Sequence, residues 1–220
     1  MSDPAHLSAA VIGLGSMGLG MARSIARAGL SLKAFDVNPQ ALEAIADVGQ
    51  GASDIISATR DCDIVVCVVV NAKQTRDVLL GPQGAVKAMK PGGVVVSCAT
   101  MSPEEARAIG AAVYEAGRLY LDAPISGGPA KAASGQMTIM ASGTRDAFSR
   151  ARPALEAMAG KIYELGDEAG IGASFKMINQ MLAGVHIAAA CEAMSFAAKL
   201  GLDLKKVFEV ITASAGNSWM

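Results

Sequence analysis

Apolar and polar positions follow two alternating rhythms along this chain. Residues 9–14 form an unbroken apolar run, residues 16–28 carry apolar side chains at helical spacing closed by Gly29, and residues 32–36 read as a second strand. That succession is a βαβ unit. Asn38 before Pro39 sets a capping residue ahead of a proline at a first helical position, and helical spacing continues over residues 41–48 until Gly49. Residues 64–70 are a largely β-branched run without polar alternation, as expected of a central parallel strand buried on both faces, and residues 93–97 repeat it after the Pro91-Gly92 turn. Ser102-Pro103-Glu104-Glu105 reads as a capping box that opens a helix to about residue 116, and a strand follows at 119–122. A stretch rich in Gly, Pro and Ser occupies 123–135. After it come a strand at 137–141, a helix at 145–158 and a strand at 162–165.

The rhythm changes after Gly170 and Gly172. Residues 173–200 contain no proline and no breaker pair, are rich in Ala and Met, and would span roughly 40 Å as one helix. Asp203 then caps a second helix through residue 211. The pattern predicts an α/β, Rossmann-type, doubly wound and mostly parallel sheet over residues 1–168. A long interdomain helix and the start of an all-α domain follow over residues 169–220. One long and one short helix cannot enclose a core, so the second domain is expected to be truncated or completed by helices from elsewhere. The uncovered Ala and Met faces form the sort of patch that recruits a partner, and a homo-oligomer, a dimer or tetramer, is expected.

The composition narrows the partners. Lys plus Arg number 19 against 20 Asp plus Glu, a net charge of -1 without a basic block, which argues against nucleic acid. Although 52% of residues are hydrophobic, the longest uninterrupted apolar run, residues 64–70, falls far short of a bilayer, so no membrane partner is expected. Residues 1–8 carry Asp3 and His6 rather than a secretory pattern, and a cytoplasmic location follows. Cys62, Cys67, Cys98 and Cys191 show no CxxC spacing, and only His6 and His186 are available to join them, so no metal site is expected. Three of these thiols sit in or beside apolar segments, as small buried hydrophobes do.

The chemistry-bearing residues fall into three groups. Gly13-Leu14-Gly15-Ser16-Met17-Gly18 is a GxGxxG loop between a strand and a helix, where glycines allow a tight turn, a close backbone approach to a pyrophosphate and helix packing on the strand. Asp36, at the end of the second strand, can accept hydrogen bonds from ribose hydroxyls and repel a 2′-phosphate, which favours NAD, while Lys33 could approach the same pocket and oppose that preference. Asp122-Ala123-Pro124-Ile125-Ser126-Gly127-Gly128 follows a strand C-terminus and is either an anion-binding nest or a plain turn. Oxidising an alcohol needs a group to take its proton. Lys176 on the long helix, with Asn179 and Gln180 on the same face, is a candidate whose pKa burial would lower; a lysine on such a helix is otherwise a solvated surface residue. His186, ten residues on, either meets a substrate hydroxyl or is a core histidine bonded to backbone.

Three segments appear in order: residues 13–22 (GLGSMGLGMA), 122–128 (DAPISGG) and 172–180 (GASFKMINQ). They resemble the cofactor, substrate and catalytic signatures of the β-hydroxyacid dehydrogenases, the 3-hydroxyisobutyrate dehydrogenase-like family, and the resemblance covers nearly the whole chain. It implies an NAD-dependent dehydrogenase of small hydroxyacids in which Lys176 is catalytic, Asn179 helps bind substrate, and Ser126, Gly127 and Gly128 hold the substrate carboxylate. Residues 13–18, Asp36, Val70, Asn71 and Thr100 would face the cofactor. Residues 181–188 (MLAGVHIA), 213–220 (ASAGNSWM) and Val70-Asn71-Ala72 are similar to a branch that oxidises a four-carbon sugar acid at its 2-hydroxyl. The alternatives are a 3-hydroxyacid dehydrogenase or a dinucleotide-binding module without turnover. Gln180 replaces a common second Asn, and family members continue into further helices carrying another lysine, which this chain does not contain.

Overall fold

A computed structural model describes residues 7–218; His6 and Trp219 lie outside them. Six strands, β1 (Ser8–Ile12), β2 (Ser31–Phe35), β3 (Gln50–Gly51), β4 (Ile64–Cys67), β5 (Val94–Ser97) and β6 (Leu119–Asp122), form one parallel sheet in the order β3-β2-β1-β4-β5-β6. The order reverses between β1 and β4, and the loops leaving those two strands open the crevice where such sheets bind ligands. Side-chain alternation divides the core between the two faces. Ile64 and Val66 point to the side of Met21 and Ile25, whereas Val65 and Cys67 point to the side of Leu79 and Ile109.

The covering helices are α1 (Gly18–Arg27), α2 (Pro39–Glu43), α3 (Ile55–Thr59), α4 (Ala72–Leu80) and α5 (Pro103–Glu115), with the capping box present at Ser102 and Glu105. Two of them lack an apolar rhythm long enough to be seen in the sequence. They are instead started by caps: the Asp54 carboxylate accepts the Ser57 N–H, and the Asn71 side chain accepts the Gln74 N–H. Helical spacing over residues 41–48 becomes only the short α2. The amides of Ile45, Ala46 and Val48 bond three residues back, a tightening that accompanies the full burial of Ile45. The apolar run 64–70 likewise leaves the sheet after Cys67, and Val70 ends up exposed.

A second, three-stranded sheet is built from β7 (Ile125–Ser126), β8 (Met137–Ala141) and β9 (Ala159–Glu164), with β7 antiparallel and β9 parallel to β8. Between them lie α6 (Gly128–Ser134) and α7 (Arg145–Met158). Two elements complete the chain, α8 (Ile171–Lys199) and α9 (Leu204–Thr212), the latter capped by Asp203. Contacts divide the chain into two units, with the boundary after Lys176. By length and composition alone α8 is long and apolar enough to cross a membrane, because single polar residues break an apolar run without lowering the average hydropathy enough.

Ile25 is fully buried under the sheet, while Arg23 on the same helix pairs with Asp47 in solvent at 2.7 Å. Ile25→Ala should lower unfolding stability by about 2–5 kcal/mol in urea titrations. Arg23→Ala should leave the midpoint unmoved, since exposed pairs contribute little.

Candidate functional site

The loop after β1 divides its three glycines between packing and access. A Cβ on Gly13 would collide with the Val68 carbonyl oxygen, and one on Gly18 with the Gly13 carbonyl oxygen. Gly13 also adopts φ +96, a backbone state that suits glycine. At Gly15 a Cβ would meet nothing within 4 Å, so only there does the bare backbone face open space. The N–H groups of Gly15, Ser16 and Met17 have no partner among the described residues, and α1 carries no side-chain cap. By contrast, α2, α3, α4, α5, α7 and α9 are each capped by their own Asn, Asp, Ser or Thr. Uncapped donors beside a positive helix end form a cradle for a phosphate.

This loop borders a cleft of about 360 Å³ whose walls include Asp36, Val37, Val69, Val70 and Gln74. Asp36 is tied into the loop: its Oδ2 accepts the Leu14 N–H at 2.6 Å and its Oδ1 the Asn38 N–H at 2.8 Å. Lys33 is held away, its ammonium donating to the Arg60 carbonyl at 3.1 Å. Val70 is 77% exposed and its N–H donates to Gln74 Oε1. Asn71 caps α4 through its side chain. Thr100, just past β5, is exposed and its hydroxyl has no partner among the described residues. The glycine cradle and the cleft therefore fit a dinucleotide.

In the three-stranded sheet, Ser126 closes β7, and Gly127 and Gly128 take φ +136 and +78 in succession. A Cβ on Gly127 would press on the Lys131 stem, and α6 beyond it, like α1, has no side-chain cap. Lys176 is 6% exposed and has no hydrogen bond or ion pair among the described residues. Burial pushes its ammonium below the ordinary lysine range. Asn179 lies exposed further along α8, its amide donating to Gln180 Oε1 at 3.4 Å.

His186 is not the backbone-bonded core histidine: its Nδ1 is buried without a partner among the described residues, in a cleft of about 490 Å³ shared with Phe208 and Thr212. Cys62, Cys67 and Cys98 are buried thiols, with Cys67 pushed up to about 12 by desolvation, and Cys191 is exposed. The sequence reading assigned no task to the carboxylate of Asp122 or to Ser142. A buried aspartate ending a strand was the available signal, since such a group must find donors.

Residues 8–166 match the model of the NAD binding domain of 6-phosphogluconate dehydrogenase, and residues 170–220 that of the NAD-binding region of NADP-dependent 3-hydroxyisobutyrate dehydrogenase. An L-threonate dehydrogenase of Cupriavidus necator is 51% identical over 96% of this chain and 71% of its own length. A crystal structure of 3-hydroxyisobutyrate dehydrogenase from Salmonella typhimurium is 46% identical with a TM-score of 0.92, over 97% of this chain and 75% of that one. The Mycobacterium tuberculosis 3-hydroxyisobutyrate dehydrogenase with L-serine is 34% identical with a TM-score of 0.84, over 97% and 72%.

The glycine geometry separates binding from folding. Gly15→Ala should keep the wild-type melting temperature but weaken NAD binding about tenfold or more in calorimetric titrations, a loss of roughly 1.4 kcal/mol. Gly18→Ala should instead destabilise the chain by about 1–3 kcal/mol, because backbone must move to admit the methyl.

Proposed function

Because the chain belongs to the 3-hydroxyisobutyrate dehydrogenase-like family of NAD-dependent β-hydroxyacid dehydrogenases, we propose that it oxidises L-threonate at C2 to 2-oxo-tetronate. The observation that carries the chemistry is Lys176, a buried lysine without a partner whose ammonium is destabilised by desolvation. Such a group is predisposed to be neutral and to accept a hydroxyl proton. The choice of L-threonate rests on 51% identity to an enzyme of that name.

In this reading the chain's own residues divide the work. The N–H groups of residues 15–17 receive the pyrophosphate, and the lone pairs left on Asp36 accept from the adenosine ribose. The exposed Val37 and Val70 offer apolar walls to a flat base, with Asn71 and Thr100 further along the cofactor. Asp36 and the diversion of Lys33 favour NAD over its 2′-phosphorylated form. NAD, once bound, supplies the hydride acceptor. Ser126, Gly127 and Gly128 hold the substrate carboxylate, Asn179 hydrogen-bonds the substrate, and Lys176 takes the proton. Residues 1–168 then act as the cofactor domain and 169–220 contribute to the substrate domain, in a cytoplasmic homo-oligomer without nucleic-acid or membrane partners.

A 3-hydroxyacid such as 3-hydroxyisobutyrate is the second reading, favoured by the 46% identity to a structure of that dehydrogenase. NADH formation with L- and D-threonate, L- and D-erythronate, 3-hydroxyisobutyrate and glycerate decides between them. Selective turnover of L-threonate is expected, and selective turnover of 3-hydroxyisobutyrate would replace it.

Lys176→Ala should lower kcat by about 10²–10⁴ with NAD affinity unchanged; wild-type turnover in that variant excludes the proposed role. The pH dependence has a definite sign. Burial disfavours the ammonium, so the neutral base appears at lower pH than in free lysine, and kcat/KM should rise with pH through a midpoint below about 10.4. A midpoint at or above that value contradicts the assignment. Lys176→Met should raise the melting temperature while abolishing turnover, since a charge disfavoured by burial is removed.

A further inference from the structure

Asp122 ends β6 at 1% exposure, too buried to touch a substrate, and the reading above gives its carboxylate no task. Its Oδ2 accepts the N–H of Gly170 at 2.9 Å and the N–H of Ala173 at 2.8 Å, respectively the residue preceding α8 and the third residue of the helix. The N–H of Gly172, between them, donates to Ser142 Oγ at 2.9 Å. The two acceptors belong to one bridged pair: the Asp122 N–H donates to the Ser142 carbonyl at 3.0 Å and the Ser142 N–H to the Asp122 carbonyl at 2.8 Å. The helix is seated so closely that a Cβ on Gly172 would lie 2.5 Å from the Met140 carbonyl oxygen and 2.8 Å from that of Asp122. Every other side-chain cap in the described residues comes from the helix's own start, whereas this one reaches α8 from 48 and 51 residues away. Lys176 follows Ala173 by three residues, less than one helical turn.

We propose that Asp122 is a positioning residue for the dehydrogenase reaction, capping α8 from the sheet together with Ser142 and thereby holding Lys176 in its buried orientation. The proposal rests on Lys176 being the proton acceptor. Desolvation raises the Asp122 pKa while the bonds from Ala173, Gly170 and Ser142 oppose it. An asparagine presents the same acceptor oxygen.

The test measures kinetics across pH, together with hydrogen exchange of residues 170–176 by mass spectrometry, for Asp122→Ala, Asp122→Asn and Ser142→Ala. Asp122→Ala should lose about 100-fold in kcat, as small misplacements of catalytic groups do, with the KM for NAD unchanged. Its amides at 170–176 should exchange faster, and the pH midpoint assigned to Lys176 should move upward as the ammonium regains water. Asp122→Asn should restore kcat to within about tenfold and retain the exchange protection and the midpoint. Ser142→Ala should fall between the two. Wild-type kcat and midpoint in folded Asp122→Ala overturn the proposal. So does an Asn variant as impaired as the Ala variant while exchange stays wild-type, since charge and not acceptance would then be acting. If Asp122→Ala does not fold, the double variant Asp122→Asn with Ser142→Ala takes its place, and an unchanged midpoint and kcat there are equally fatal. Should Lys176→Ala keep its turnover, the catalytic reading fails by itself, and the exchange data still report whether Asp122 holds α8.

Discussion

One buried carboxylate oxygen receives two amide hydrogens where β6 meets the start of α8, and the candidate catalytic lysine takes its place from that contact. The pairing is demanding in both directions. Unpaired, the two N–H groups would each cost about 1–3 kcal/mol at this depth, and the carboxylate would be left without compensation. Satisfied, they leave the first turn of α8 little freedom, because Gly172 already sits at the limit of approach to two carbonyl oxygens. Lys176 is buried as a consequence of where the helix begins.

The backbone donors of the helix starts are likewise of two kinds, those met by a capping side chain and those left open. Among the described residues, six helices close their first turn with a side chain at the cap that accepts one or two of the orphan amides. The cap positions of α1 and α6 are held by Met17 and Gly127, neither of which supplies a capping side chain. At α1 the glycines divide: Gly13 and Gly18 are required by contacts within the protein, whereas a Cβ on Gly15 would meet only open space. The Asp36 carboxylate joins the loop to the end of β2, so the two parts of the cleft are held in one geometry before any ligand arrives.

Burying a lysine without a counter-charge sets stability against reactivity. The desolvation that lowers the Lys176 pKa is unfavourable to folding whenever the ammonium is the ionised form, and it is also what makes the neutral amine available. Asp122 does not relieve that cost as a counter-ion, since desolvation alone accounts for the shift at Lys176. Its influence passes through the backbone.

Much of this was readable from local pattern. The apolar runs at β1, β2, β4 and β5 and the capping box at Ser102 follow from periods and propensities that a chain carries wherever it folds, as does the long Ala- and Met-rich helix. The GxGxxG spacing and Asp36 likewise announced a dinucleotide loop, because turn, approach and packing impose glycine at fixed offsets. Short helices such as α3 and α4 escaped because a cap and one turn leave no apolar rhythm, and α2 stopped early where Ile45 was drawn into the core. What the sequence by itself determined was therefore the order of elements and the identity of the candidate chemistry. Only the tertiary structure decided that Lys33 turns to Arg60, that His186 Nδ1 lacks a backbone partner, and that Asp122 and Ser142 cap a helix about 30 to 50 residues away. The Lys33, Asp122 and Ser142 bonds join residues distant in the chain, and the His186 environment is likewise set by which surfaces pack together, a choice that no local spacing records.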